Sequence, residues 1–248
     1  MKTSKITVAA FALATLLMPR AGITADDGVQ SVEVNGKLDA EWASYRYAYQ
    51  ASVFTNKFLR KRPMIQTQLQ LRPLDPATPV TGLKVKLVGA KTSLELVADD
   101  VGRIDLPQLK SAYDEDAVLR LNRPKGLYRF SGRYSIKEHA DGAYTLADLR
   151  EACEELIGAQ RDSGYRLRLW GKKCAGVKFA YPVDSSSAAA DFHSADDRVT
   201  PIAAVDGRPF EDESMGTYKI VVVRFADWPK DGRVVVREKP LSIGTLYE

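Results

Sequence analysis

The stretch "IQTQLQLRP", residues 65–73, most narrows what this chain can fold into. Ile65, Thr67, Leu69 and Leu71 alternate with Gln66, Gln68, Gln70 and Arg72. Successive side chains of a strand point to opposite faces, so this period of two describes a strand with one apolar and one polar side. The same alternation recurs in "LKVKLVG", where Leu83, Val85 and Leu87 are separated by lysines, and in "AVLRLNRP". "SLELVADDVGRIDLP" reads as a strand, a turn over residues 99–102, and a strand again. Pro, Gly and Asp punctuate these runs every ~8–12 residues, the rhythm of a β-sandwich. No helical period is visible between Pro63 and Pro124.

Past residue 125 the pattern changes. In "YTLADLREACEELIGAQRDSG" the residues Leu146, Leu149, Cys153, Leu156 and Ile157 form one apolar helical stripe. Thr145, with Asp148 three residues on, makes a start resembling a capping box, and Gly164 a stop. Strands are expected at "GLYRFSGRYSI", "YRLRLW", "GVKFAYP", "YKIVVVRF" and "RVVVRE", with "ADWPKDG" as a hairpin loop between the last two. The small, polar stretch "DSSSAAADFHSADD" is expected to be a mobile surface loop. The fold class is therefore β-rich α+β. An antiparallel β-sandwich is expected over 38–125, followed by an α+β module over 126–248 with one helix packed on an antiparallel sheet. "LDAEWASYRYAYQASVFTNKFL" fits two readings: Leu38, Trp42, Tyr45, Tyr49 and Val53 share a helical stripe, while Tyr45, Tyr47 and Tyr49 alternate as in a strand. The longer spacing favours a helix whose aromatic residues belong to the core.

The first 25 residues carry the layout of a secretory signal peptide: Lys2 and Lys5, an apolar run of 11 residues from Val8 to Met18, and a small residue at Ala25. At about 1.5 Å per residue this run spans about 16 Å as a helix, short of the roughly 30 Å of a bilayer core. Residues 26–37 are polar and expected to be loosely ordered. The formal charge of +4 includes Lys2, Lys5 and Arg20, so removal of residues 1–25 lowers it by three, to +1. That near-neutral balance argues against a nucleic-acid partner, which calls for a strongly basic face. The protein is expected to be periplasmic or secreted.

The two cysteines of the chain, Cys153 and Cys174, form the only possible intramolecular pair, and an oxidising compartment favours its closure. Cys153 lies on the apolar stripe of the helix, so the bond should be structural. Motifs for chemistry are scarce. Neither the spacing of His139 and His193 nor that of Cys153 and Cys174 fits a zinc module. There is no G-x-S-x-G elbow, phosphate-binding loop or dinucleotide fingerprint. "DDVGRID" lacks the register of a calcium loop and reads as a hairpin turn. Glu151, Glu154 and Glu155 read as the solvated side of the helix. No catalytic residue, metal ligand or cofactor is assigned.

The basic stretches are the candidate contacts for an anionic ligand. Arg166 and Arg168 are expected to share one face of a strand, with Lys172, Lys173 and Lys178 nearby. Lys57, Arg60, Lys61 and Arg62 form a second group. Arginine suits phosphate and carboxylate geometry. Trp228, at a loop tip, is either a contact residue or a cover for the core.

Gly82, Val85, Leu87, Asp99, Gly102, Leu106 and Pro107 fall in a pattern similar to that of carboxypeptidase-regulatory-like, transthyretin-like β-sandwiches. From "SYRYAYQ" through "LPQLKSAYDEDAVLRLN", "YTLADLREACEEL" and "GVKFAYP", residues 44–183 resemble a family of secreted proteobacterial proteins, a domain of unknown function. That resemblance implies an exported protein and brings no catalytic residues with it. The expected function is a non-catalytic binding or envelope-associated module, whose partner is an envelope component, a glycan or a periplasmic protein. The alternative is an exported hydrolase with a site assembled from distant residues. Export with cleavage after Ala25 makes the periplasmic form begin at Asp26. Intact-mass measurement of that form checks it, and recovery of the full 248-residue chain from the cytoplasm would count against it.

Overall fold

The structure, a computed structural model, describes residues 40–211 and 215–248. The expected signal peptide, the 26–37 segment and Leu38 lie outside the described residues. In chain order the first elements are β1 (Ala40–Ser44), α1 (Tyr45–Leu59), β2 (Ile65–Pro73), β3 (Lys84–Val88), β4 (Ser93–Val97) and β5 (Arg103–Ile104). Next come α2 (Lys110–Asp114), β6 (Val118–Pro124), β7 (Tyr128–Ile136), β8 (Ala143–Thr145), α3 (Leu146–Gln160) and β9 (Cys174–Tyr181). The last are β10 (Ala189–His193), β11 (Val199–Ala203), β12 (Val205–Gly207), β13 (Tyr218–Arg224), β14 (Arg233–Val236) and β15 (Ser242–Tyr247). The fold is β-rich α+β with antiparallel sheets, and α3 packs on them.

A seven-stranded sheet in the order β12-β13-β9-β15-β7-β2-β5 forms the centre. Two four-stranded sheets flank it, ordered β1-β6-β3-β4 and β11-β10-β14-β8. The alternation of residues 65–73 places Ile65, Thr67, Leu69 and Leu71 opposite Ile136, Tyr134, Gly132 and Phe130 of β7. The glutamines and Arg72 of β2 face Ser135, Arg133, Ser131 and Arg129. Residues paired in an antiparallel ladder project to the same side, so this strand pair has one apolar and one polar face.

Two hydrophobic clusters form the core. One joins Leu146, Leu149, Cys153 and Leu156 of α3 to Ile65, Ile136, Phe179, Val221 and Ile243 of the central sheet. The other joins Val85, Leu87, Leu119 and Leu121 of the β1-β6-β3-β4 sheet to Leu71, Ile104 and Tyr128 of the central sheet. This second contact is sheet on sheet, and β7 belongs to its second layer together with β2 and β5. β7 pairs with β2 over nine residues, whereas it meets β15 through the single pair Ile136–Ile243.

The N-cap of α3 forms as its sequence suggests, with Thr145 Oγ1 accepting from the Asp148 N–H at 3.0 Å. α1 buries Tyr45, whose hydroxyl donates to Pro107 O at 2.6 Å and accepts from Leu109 N–H at 2.7 Å. Tyr49 of α1 packs on Tyr113 at 5.1 Å, so part of the aromatic stripe is core.

Several local expectations are corrected. "YRLRLW" is not a strand: after α3 the chain makes a wide turn over Arg161–Tyr165, with Gly164 at φ +110°, and runs on as turns. Its alternation finds no neighbouring strand to pair with. "ADWPKDG" is not a hairpin loop, because β13 pairs with β9 and β12 while β14 pairs with β10 and β8. "DSSSAAADFHSADD" contains β10, since Ala190 and Phe192 are buried against β14. The turn at residues 99–102 is real but joins two sheets, with β4 paired to β3 and β5 to β2. α2 interrupts the stretch that showed no helical period.

Cys153 and Cys174 are bonded, with Cα atoms 6.0 Å apart, inside the range a disulfide spans without backbone movement. The bond ties the middle of α3 to the first residue of β9. With a sequence separation of 21, replacing both residues by alanine should lower the unfolding free energy by about 3 kcal/mol, as read from urea denaturation.

Candidate functional site

The apolar face of the β2–β7 pair has a gap. Opposite Leu69 stands Gly132, and a Cβ added there would meet nothing within 4 Å. Above it, α1 presents the small residues Ala48, Ala51 and Ser52. Helix and sheet normally close such a space with large side chains. Here a groove of about 730 Å³ remains between them, within the size range of small-molecule sites. Leu69, Leu106 and Phe130 supply apolar lining, while Trp42 and Tyr47 belong to its exposed part. Thr55 and Asn56 line it further along α1. Asp105, which accepts from Gln68 Nε2 at 3.1 Å, is the sole carboxylate among the described lining residues. His, Lys, Arg and Cys are absent from them. A hydroxyl such as Ser52, which accepts from Gln108 Nε2 at 3.2 Å, therefore has no base beside it.

The polar face of the same strand pair is a connected, buried network. Arg103 is 7% exposed. Its guanidinium donates to Asp99 at 2.7 Å, Glu138 at 2.9 Å, Ser135 Oγ at 3.3 Å and the carbonyl of Leu241. Burial works against the charge, but Asp99 and Glu138 outweigh it and raise the Arg103 pKa. Arg133 donates to Gln70 Oε1 at 2.8 Å and lies 4.3 Å over the ring of Phe210. Burial, then Arg72, pushes Arg133 down to about 10.

The sequence-derived contacts separate into two environments. Arg166, Arg168, Lys172 and Lys173 are all exposed on the turn segment between α3 and β9. Lys178 does not join them. It sits in β9 between Val222 of β13 and Gly244 of β15, is buried, and donates to Glu211 at 2.9 Å. The centre of a sheet has no room for a solvated lysine. The second basic group approaches the first because Arg62 pairs with Asp162 at 2.6 Å.

The remaining candidates have structural contacts. Glu155 accepts from Met64 N–H at 3.0 Å, joining α3 to the approach to β2, and burial raises its pKa against that bond. Glu151 and Glu154 are exposed. His139 stacks on Tyr144 at 4.5 Å, and His193 belongs to β10. Trp228 packs on Phe192 at 4.4 Å and covers the core. Among the described residues no group of three or more His, Cys, Asp or Glu is placed to hold a metal ion. Sequence reading missed the groove, whose sole local signal was a glycine inside a strand pattern.

No family model matches the chain, and no curated protein or solved structure matches it either.

Removal of a buried ion pair's partner leaves the other charges uncompensated. Arg103→Met should therefore lower stability by about 3 kcal/mol, because Glu138 and Asp99 lose their common donor. Urea denaturation checks it, and a change below about 1 kcal/mol would contradict the role assigned to Arg103.

Proposed function

We propose that the protein is a non-catalytic, exported binding module that seats an uncharged, mainly apolar molecule in the groove beneath α1. The observation that carries this reading is the gap at the Leu69–Gly132 pair, which leaves about 730 Å³ lined by aliphatic, aromatic and mostly uncharged polar residues. Desolvating an apolar ligand there is favourable, at roughly 25 cal/mol per Å² of buried surface. An anionic ligand gains nothing from this lining, which offers no cation and one carboxylate. The hydrolase alternative needs convergent ionisable groups, and the groove supplies none beyond Asp105 and Tyr47. Export is supported by the Cys153–Cys174 bond, the N-terminal layout and the resemblance to a secreted family.

The test uses N-phenyl-1-naphthylamine, a neutral apolar fluorophore. Its emission should rise on titration with the protein, and dodecanol should displace it more effectively than dodecanoate. Gly132→Leu fills open space, so it should weaken binding at least tenfold while leaving the melting temperature unchanged or higher. No enhancement with the unmodified protein, or undiminished binding by Gly132→Leu, would overturn the reading.

A further inference from the structure

Leu167 is 87% exposed and Trp170 81%, the highest values among the large hydrophobic residues of the described chain. Both stand on the turn segment between α3 and β9, where Arg166, Arg168, Lys172 and Lys173 are also exposed. Scattered surface leucines need no explanation, but a bare leucine and a bare tryptophan interleaved with four cations form a chemically composite surface. Tyr165, half exposed, adds to its apolar part.

The segment is held at its base. The Cys153–Cys174 bond fixes it to α3 just after Lys173. Lys173 and Glu248 exchange backbone hydrogen bonds at 2.9 and 3.2 Å, and Arg161 Nη2 donates to Lys172 O at 2.7 Å. The exposed side chains are thus presented on a restrained scaffold. Positive charge continues on both sides. The Arg62–Asp162 pair brings up the end of α1, where Lys57, Arg60 and Lys61 are exposed together with Phe54. On the sheet side Arg72 feels both Arg129 and Arg168, which, after burial, lower its pKa. Asp162, engaged by Arg62, and Glu248 are the acids met in these contacts.

We infer that this end of the molecule docks on an anionic lipid bilayer. Leu167 and Trp170 enter the headgroup region, while Arg166, Arg168, Lys172 and Lys173 meet lipid phosphates. Tryptophan suits that boundary because its ring is amphipathic, and cations beside it gain from the negative surface potential. A soluble polyanion would reward the cations alone, whereas a bilayer rewards the cations and the bare apolar pair together. The inference is independent of the groove, since none of these four cations or two apolar residues lines it.

Co-sedimentation of the purified protein with vesicles tests it. Binding is expected to vesicles of phosphatidylglycerol and phosphatidylcholine, with little to phosphatidylcholine alone, and it should weaken as salt rises. Neutralising Arg166, Arg168, Lys172 and Lys173 to glutamine should cost about fivefold in partitioning per residue. Leu167→Ser/Trp170→Ser should reduce binding to the same vesicles at unchanged charge. A vesicle-dependent blue shift in tryptophan emission should disappear in Trp170→Phe. These side chains are exposed, so unchanged melting temperatures are expected and confirm that each variant is folded. Absence of binding to the anionic vesicles overturns the inference. So does binding that is indifferent to Leu167→Ser/Trp170→Ser, or equal binding to heparin with the same indifference.

Discussion

The polar side of the β2–β7 pair has to be buried without leaving its hydrogen-bonding groups unmatched. Arg103 is the main solution. One guanidinium reaches the 99–102 turn through Asp99, the end of β7 through Ser135 and the following Glu138, and the approach to β15 through the Leu241 carbonyl. Gln70, bonded to Val101 O and Arg133, continues the network along the strand. A half-satisfied network of this kind would be worse than an apolar layer. The four acceptors of Arg103 link the 99–102 turn, β7 and the approach to β15, joining strands distant in sequence although β7 and β15 share a single ladder pair.

The elements that were legible in the sequence are those whose pattern and environment agree locally. The alternation in 65–73 became β2, and the apolar stripe with its Thr145 cap became α3. The pairing of Cys153 with Cys174 followed from number and placement. What was not legible depends on partners. Val234–Val236 follows β13 across the turn-forming Pro229 and Asp231-Gly232, yet it pairs with β10 and β8. Leu167 and Leu169 repeat at strand spacing, but no strand lies beside them. Lys178 looked like one more surface cation, and its burial follows solely from the central place of β9. The groove was hidden for the same reason. Leu69 and Gly132 are ordinary residues apart, and they make a gap when set opposite each other.

The two candidate surfaces divide the chemistry between them. The groove under α1 combines apolar side chains with uncharged polar ones and is nearly free of ionisable groups. The turn segment beyond α3 is cationic with two bare apolar side chains, and a disulfide and the Lys173–Glu248 backbone pair tie down its base. The groove shares residues with the core, since Ala48, Leu69, Leu106 and Phe130 line it and also pack against the cluster that holds Tyr45.

The position of β15 has a consequence for the order of assembly. It is the last described strand in the chain, yet it lies inside the central sheet, between β9 and β7. A chain emerging from its N-terminus has β2, β7 and β9 available long before it has residues 242–247. Until those residues arrive, β7 and β9 have no strand between them, and Arg103 has no Leu241 carbonyl to hold. The sheet therefore cannot close progressively during synthesis. It closes only once residues 242–247 are present, through long-range contacts of the kind that slow folding.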